Sequence, residues 1–209
     1  QGDIVAKKID TIAKTELPNS SKSKKPEGVD LVKYVIDLVN STPGRLKDNT
    51  KKPGGLIMFP DNLRPIIIGD LHANIEHLKF ILDHDNNRAD LESGKAACIF
   101  IGDVLHDDRT GYMKQMESSL FMLDELFDVY YTYPGRVYYI RGNHDSFDEQ
   151  LSKSGILQGL ELKKLLLENK GKLYVDAIQA FFDALPYFVI GQGWVITHAG
   201  PPRGGLVRE

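Results

Sequence analysis

Asp70, His72, Asp103, Asn143 and His198 each stand just past a short apolar, β-prone run, and together they offer carboxylate, imidazole and amide donors with no thiolate. That donor set suits hard or borderline divalent ions such as Mn, Fe or Zn. Two such ions about 3.5 to 4 Å apart clamp the attacking and leaving oxygens of an in-line displacement and lower the pKa of a bridging water, which is the chemistry of phosphate-ester hydrolysis. Asp70 and His72 are two apart on a segment read as extended, so period-two alternation points both the same way. The two oxygens of Asp103 can bridge two cations. His144, beside Asn143 but not needed as a ligand, can donate a proton to a departing alkoxide if a carboxylate orients it. Asp107 and Asp108, in the acidic loop after Asp103, are the candidates for that carboxylate. Taken singly, each of these residues has a plainer role as a solvated turn carboxylate, a turn asparagine or a core histidine. The set is persuasive because each interval has room for a strand-helix-strand excursion back to the same sheet edge.

The elements that must position these side chains are strands. Pro65-Ile66-Ile67-Ile68 runs into Gly69-Asp70-Leu71-His72, and Cys98-Ile99-Phe100-Ile101 runs into Gly102-Asp103. Val137-Tyr138-Tyr139-Ile140 precedes Arg141-Gly142-Asn143-His144-Asp145, where Gly142 allows a sharp turn, and Trp194-Val195-Ile196-Thr197 precedes His198. Between them, apolar residues at helical spacing predict helices around Ile75 to Leu82, Met116 to Phe127, Leu160 to Glu168 and Ile178 to Leu185, the last stopped by Pro186. Val29 to Asn40 has the same spacing and reads as a helix packed outside the sheet. Strands alternating with helices argue for an α/β architecture. Lys51-Lys52-Pro53-Gly54-Gly55 reads as a loop, and Pro18 to Pro26 as an exposed linker.

With 209 residues and 42% hydrophobic content, the chain can bury a real core. A net charge of -3 with interspersed signs gives no electrostatic reason to expect nucleic acid or an anionic membrane as partner. The single cysteine, Cys98, sits in an apolar strand and reads as a buried small hydrophobe in a reducing, cytoplasmic setting. Nothing in the composition fixes an oligomeric state.

Gly69-Asp70-Leu71-His72, Gly102-Asp103, Arg141-Gly142-Asn143-His144-Asp145 and His198-Ala199-Gly200 resemble the signature motifs of the phosphoprotein phosphatase branch of the calcineurin-like metallophosphoesterases. The likeness spans about residues 63 to 203. The loop from Asp103 to Asp108, Glu117-Ser118-Ser119, Ser152-Lys153-Ser154-Gly155 with Gln158-Gly159, and His198 to Arg203 look like a bacterial-type subgroup. The resemblance implies a sheet-centred β-sandwich flanked by helices, with a helical and linker extension over 1–62 and a catalytic domain over 63–209. It implies that Asp70 and His72 hold a first ion, that Asp103 bridges, that Asn143 and His198 hold a second, and that His144 is the general acid. The family's second motif usually continues Val-Asp-Arg-Gly; here the loop is longer, which makes Arg109 the phosphate clamp, with Asn143, Arg141 and Arg203 as further substrate-binding residues. The expected activity is hydrolysis of phosphoserine or phosphothreonine in protein or peptide by metal-bound hydroxide. Hydrolysis of a nucleotide or dinucleoside polyphosphate and a non-catalytic phosphate-binding module are the rival readings. The family also takes one more histidine from a later strand, so the expectation is a catalytic domain lacking the C-terminal part of its second sheet.

Overall fold

Ala96-Ala97-Cys98-Ile99-Phe100 is apolar at every position, the pattern of a strand covered on both faces rather than one. In the computed structural model, which describes residues 24–109 and 111–200, this segment is the middle strand of a parallel three-stranded sheet. In chain order the elements are α1 (Gly28–Asn40), β1 (Arg45–Lys47), β2 (Pro53–Met58), β3 (Arg64–Ile68), α2 (Ile75–Asp83), α3 (Asn87–Glu92) and β4 (Ala96–Phe100). There follow α4 (Glu117–Thr132), β5 (Val137–Tyr139), α5 (Gln158–Lys170), α6 (Lys172–Ala184), β6 (Phe188–Gly191) and β7 (Trp194–Thr197).

One sheet has the order β3-β4-β5 and the other β1-β2-β6-β7. Alternate residues of β4 and β5 go to different cores. Ala96, Cys98, Phe100, Val137 and Tyr139 join the helices in the larger core, whereas Ala97, Ile99, Tyr138 and Ile140 meet Ile57, Phe59 and Val189 of the second sheet. Phe59 links the two sheets, with its ring 5.0 Å from Tyr138 and 5.6 Å from Trp194. The layers are therefore helices, parallel sheet, mixed sheet, which is the helix-flanked sandwich. Cys98 is buried, and burial pushes its thiol up to about 12.

The predicted helices all form, and α1 lays Val32, Val35, Leu38 and Val39 against the helical layer, chiefly on α6. Two corrections come from the second sheet. Pro53-Gly54-Gly55 is not a loop but the start of β2, which pairs in parallel with β6 through Leu56, Ile57 and Met58 opposite Phe188, Val189 and Ile190. The glycines hide this strand from a propensity reading, yet they are needed there. A side chain on Gly54 would press on the Leu46 carbonyl, and one on Gly55 on the Tyr187 ring. The four motif-bearing strands also do not share one sheet: β3, β4 and β5 lie in the parallel sheet, and β7 is an outer strand of the mixed one, joined to β6 by a Gln192-Gly193 hairpin. Residues 28–58 thus contribute a helix and two strands to the layers formed by the rest. Among the described residues no helix is long and apolar enough to cross a membrane.

Candidate metal centre

β3 and β4 run in register, Ile68 opposite Phe100, so the turns after them leave the sheet together. The turns are then tied to each other: the His72 N–H donates to the Asp103 carbonyl at 3.0 Å and the Ala73 N–H to the Val104 carbonyl at 2.8 Å. The extended geometry expected from Asp70 to His72 does not form. His72, Ala73 and Asp103 have φ of 45°, 59° and 53°, because their backbone groups turn across to the neighbouring loop. Left-handed backbone at non-glycine residues is costly and gathers at functional sites. The side chains still converge, with ligand atoms of Asp70, His72 and Asp103 all within 4.8 Å of one another.

The turn after β5 is governed by close approach. A Cβ on Gly102, whose φ is 104°, would sit 2.6 Å from the Gly142 Cα and 2.7 Å from His198 Nδ1, and one on Gly142 would strike the Asp103 carboxylate. Gly142 does not take positive φ, so it is required for its missing side chain rather than for a sharp turn. Beneath this contact lies the buried carboxylate of Asp145. One oxygen accepts the Gly142 N–H at 2.7 Å and the Asp103 N–H at 3.2 Å, while the other accepts the Tyr139 hydroxyl at 2.6 Å. Burial pushes the Asp145 carboxyl up to about 6, against the pull of those hydrogen bonds.

His198 arrives from the second sheet. Its Nδ1 donates to the Ile101 carbonyl at 2.8 Å, which leaves Nε2 as the acceptor, 2.8 Å from Asn143 Oδ1 and 3.5 Å from Asp103 Oδ2. His72 is anchored the same way, Nδ1 to the His106 carbonyl at 3.0 Å. Imidazoles with one nitrogen fixed on a carbonyl and the other turned toward carboxylates and an amide oxygen are arranged as metal ligands usually are. A cation fits this donor set, which otherwise holds acceptors facing acceptors. Asp103 belongs to both groupings, with Asp70 and His72 on one side and Asn143 and His198 on the other.

His144 stands between them. Its N–H donates to Asp103 Oδ1 at 2.9 Å, and its ring lies 5.8 Å from that of His72 and 5.7 Å from that of His106. Burial lowers its pKa, and the Asp103 charge opposes the shift. The carboxylate expected to orient this ring is not on it: Nδ1 of His144 is buried without a partner. Asp107 is taken up by Arg109 and Ser118, at 2.5 and 2.6 Å, and burial that would raise its carboxyl is outweighed by these bonds, which hold it at about 2. Asp108 accepts the Lys153 ammonium at 2.8 Å, which lowers its pKa, and lies 3.8 Å from His72 Nε2. Arg109 spends Nε and Nη2 on Asp107 and stacks over Tyr112, while Arg141 pairs with Asp183 on α6. Each guanidinium is thus paired with a carboxylate outside the cluster. Arg203 lies outside the described residues.

His106 had no assigned part in the sequence. It is wholly buried with both ring nitrogens unpartnered, and burial, with His144 and His72 nearby, lowers its pKa to about 3. Its place in an acidic loop reads as solvent, and no local signal marks it as buried.

The sequence matches the calcineurin-like phosphoesterase family over residues 63–207. Among solved structures, the chain is similar to a protein serine/threonine phosphatase from Saccharomyces cerevisiae with similarity to human phosphatase PP5, with a TM-score of 0.58 and 14% identity. The match covers 97% of this chain and 55% of that one, so the chain spans about half the length of the yeast protein. At that identity the likeness speaks for the fold. No curated protein matches the chain.

Proposed function

The chain belongs to the calcineurin-like phosphoesterases, and from that premise we propose that it is a metal-dependent phosphomonoesterase acting on phosphoserine or phosphothreonine in protein. The observation that carries this reading is the position of Asp103, whose carboxylate lies within ligand distance of Asp70 and His72 and 3.5 Å from His198. A residue shared by two groups of donors is what a paired-cation site needs. Asp70 and His72 would hold one divalent ion, Asn143 and His198 the other, and Asp103 both; Mn, Fe and Zn all suit the donors. When bound, the ions supply Lewis-acid polarisation of the phosphoryl group and a water of lowered pKa.

The protein's own groups do the rest. The Asp145 carboxylate locks the Asp103 and Gly142 backbones together, so the two halves of the site keep one spacing. His144, pinned by its backbone to Asp103, holds its proton for the leaving oxygen of the ester. Orientation of its ring comes from packing against His72 and His106 rather than from a carboxylate.

Metal content and turnover of phosphoserine and phosphothreonine peptides, run beside dinucleoside polyphosphates, test the reading. Peptide hydrolysis that depends on added divalent ion is the expected result. Preference for the polyphosphates would replace the substrate class, and hydrolysis of neither would reduce the site to phosphate recognition.

A further inference from the structure

Phosphoryl groups of monoesters bring close to two negative charges, and two of the arginines read as their clamps, Arg109 and Arg141, are paired with carboxylates in this fold. Arg109 is held by Asp107 and Arg141 by Asp183. Among the described residues, Lys153 brings an ammonium beside the cluster by way of Asp108. Its ammonium sits on Asp108 at 2.8 Å, and the same Asp108 oxygen is 3.8 Å from His72 Nε2.

Two features fix Lys153 there. Lys153 and Ile156 exchange both backbone hydrogen bonds at 3.0 Å across Ser154 and Gly155, whose φ of 52° and 78° are those of a tight two-residue turn. The buried Gln158 then ties this segment to the acidic loop, its Nε2 donating to the Asp107 carbonyl at 3.0 Å. The ammonium is therefore carried on a braced turn. Its bond to Asp108 is nonetheless easy to exchange, because the side chains are 40% and 35% exposed and such pairs contribute little.

From this geometry we infer that Lys153 is a substrate-binding residue, which leaves Asp108 to hold a non-bridging phosphoryl oxygen when the phosphomonoester enters. The inference rests on the proposed phosphomonoesterase activity. Asp108 is then a parking site that keeps the ammonium at the cluster and competes with the phosphate for it.

Inorganic phosphate titrated calorimetrically into the manganese-loaded protein tests this, with Lys153→Met and Asp108→Asn as variants and thermal melts as the check on folding. Lys153→Met is expected to weaken phosphate binding about tenfold or more, the range of a lost charge-assisted hydrogen bond, and to raise KM more than it lowers kcat, with manganese content unchanged. Asp108→Asn is expected to tighten phosphate binding, since it removes the competing anion. A purely structural ion pair would move both variants in the same direction, and that result overturns the assignment. Unchanged phosphate affinity in Lys153→Met, with the parent protein binding phosphate and turning over monoesters, overturns Lys153 alone. A parent protein that neither binds phosphate nor hydrolyses monoesters overturns the functional reading and this inference with it.

Discussion

His144 shows how far a residue's chemistry can be read without its surroundings. Its type and its place beside Asn143 predict a proton donor, and the structure sets its backbone on Asp103 at 2.9 Å. Its orienting partner could not be read, because Asp107 and Asp108 are as close in sequence as a partner would be, yet their carboxylates go to Arg109, Ser118 and Lys153. The choice among those acceptors is made by loop geometry. His106 was hidden for the same reason: charged neighbours suggest solvent, while the fold turns its ring inward. If His144 is the acid, His144→Asn lowers kcat on an alkyl phosphate by about 10² to 10⁴-fold, the usual worth of general-acid catalysis. An aryl phosphate with an acidic phenol needs no proton and loses far less. Steady-state rates on the two substrates decide it, and equal losses remove the acid role.

At the scale of elements, the motif strands and the longer helices were legible because each carries its own period. β3, β4 and β5 are apolar runs, and α1 repeats its apolar residues every three or four positions. β2 was not, since Pro53-Gly54-Gly55 looks like a breaker until the carbonyl of Leu46 and the ring of Tyr187 are seen against it. The loop between β4 and α4 also has internal order that its sequence conceals, with Asp107 bonded to Arg109 and Ser118. This gives a pH prediction. The folded carboxyl titrates at about 2, below the unfolded value of about 4. Its contribution, about 2 to 3 kcal/mol, is therefore complete above the unfolded pKa and is lost as pH falls through the folded one. The stability gap between the parent and Asp107→Asn should be constant from pH 7 to about 5 and fall to about half by pH 3. Urea unfolding of both proteins across that range measures it, and a gap independent of pH would show that the bonds do not depend on the charge.

For the whole molecule, the site joins two sheets that the sequence presents as one. Asp70, Asp103 and Asn143 come from the parallel sheet, but His198 follows β7, which is held by β6, which is held by β2 from the far end of the chain. The core between the sheets is small, comprising Ile57, Phe59, Leu63, Ala97, Ile99, Tyr138, Ile140 and Val189. Ile57 is 1% exposed at its centre, so Ile57→Ala should cost about 2 to 5 kcal/mol through lost burial and a cavity. The loss should not stay in that core. Loosening β2 from β6 frees β7, and His198 drifts from Asn143 and Asp103, so metal affinity falls with stability. Val32 is as deeply buried, yet it lies in the helical layer with α6, away from that strand path. Val32→Ala should therefore lower the unfolding midpoint while leaving metal affinity at the native level under folding conditions. Denaturant titrations and metal-binding isotherms of the two variants separate the outcomes: affinity reduced only in Ile57→Ala supports a site carried by the mixed sheet, and equal affinity in both shows that His198 is placed by its own contacts with Ile101 and Asn143.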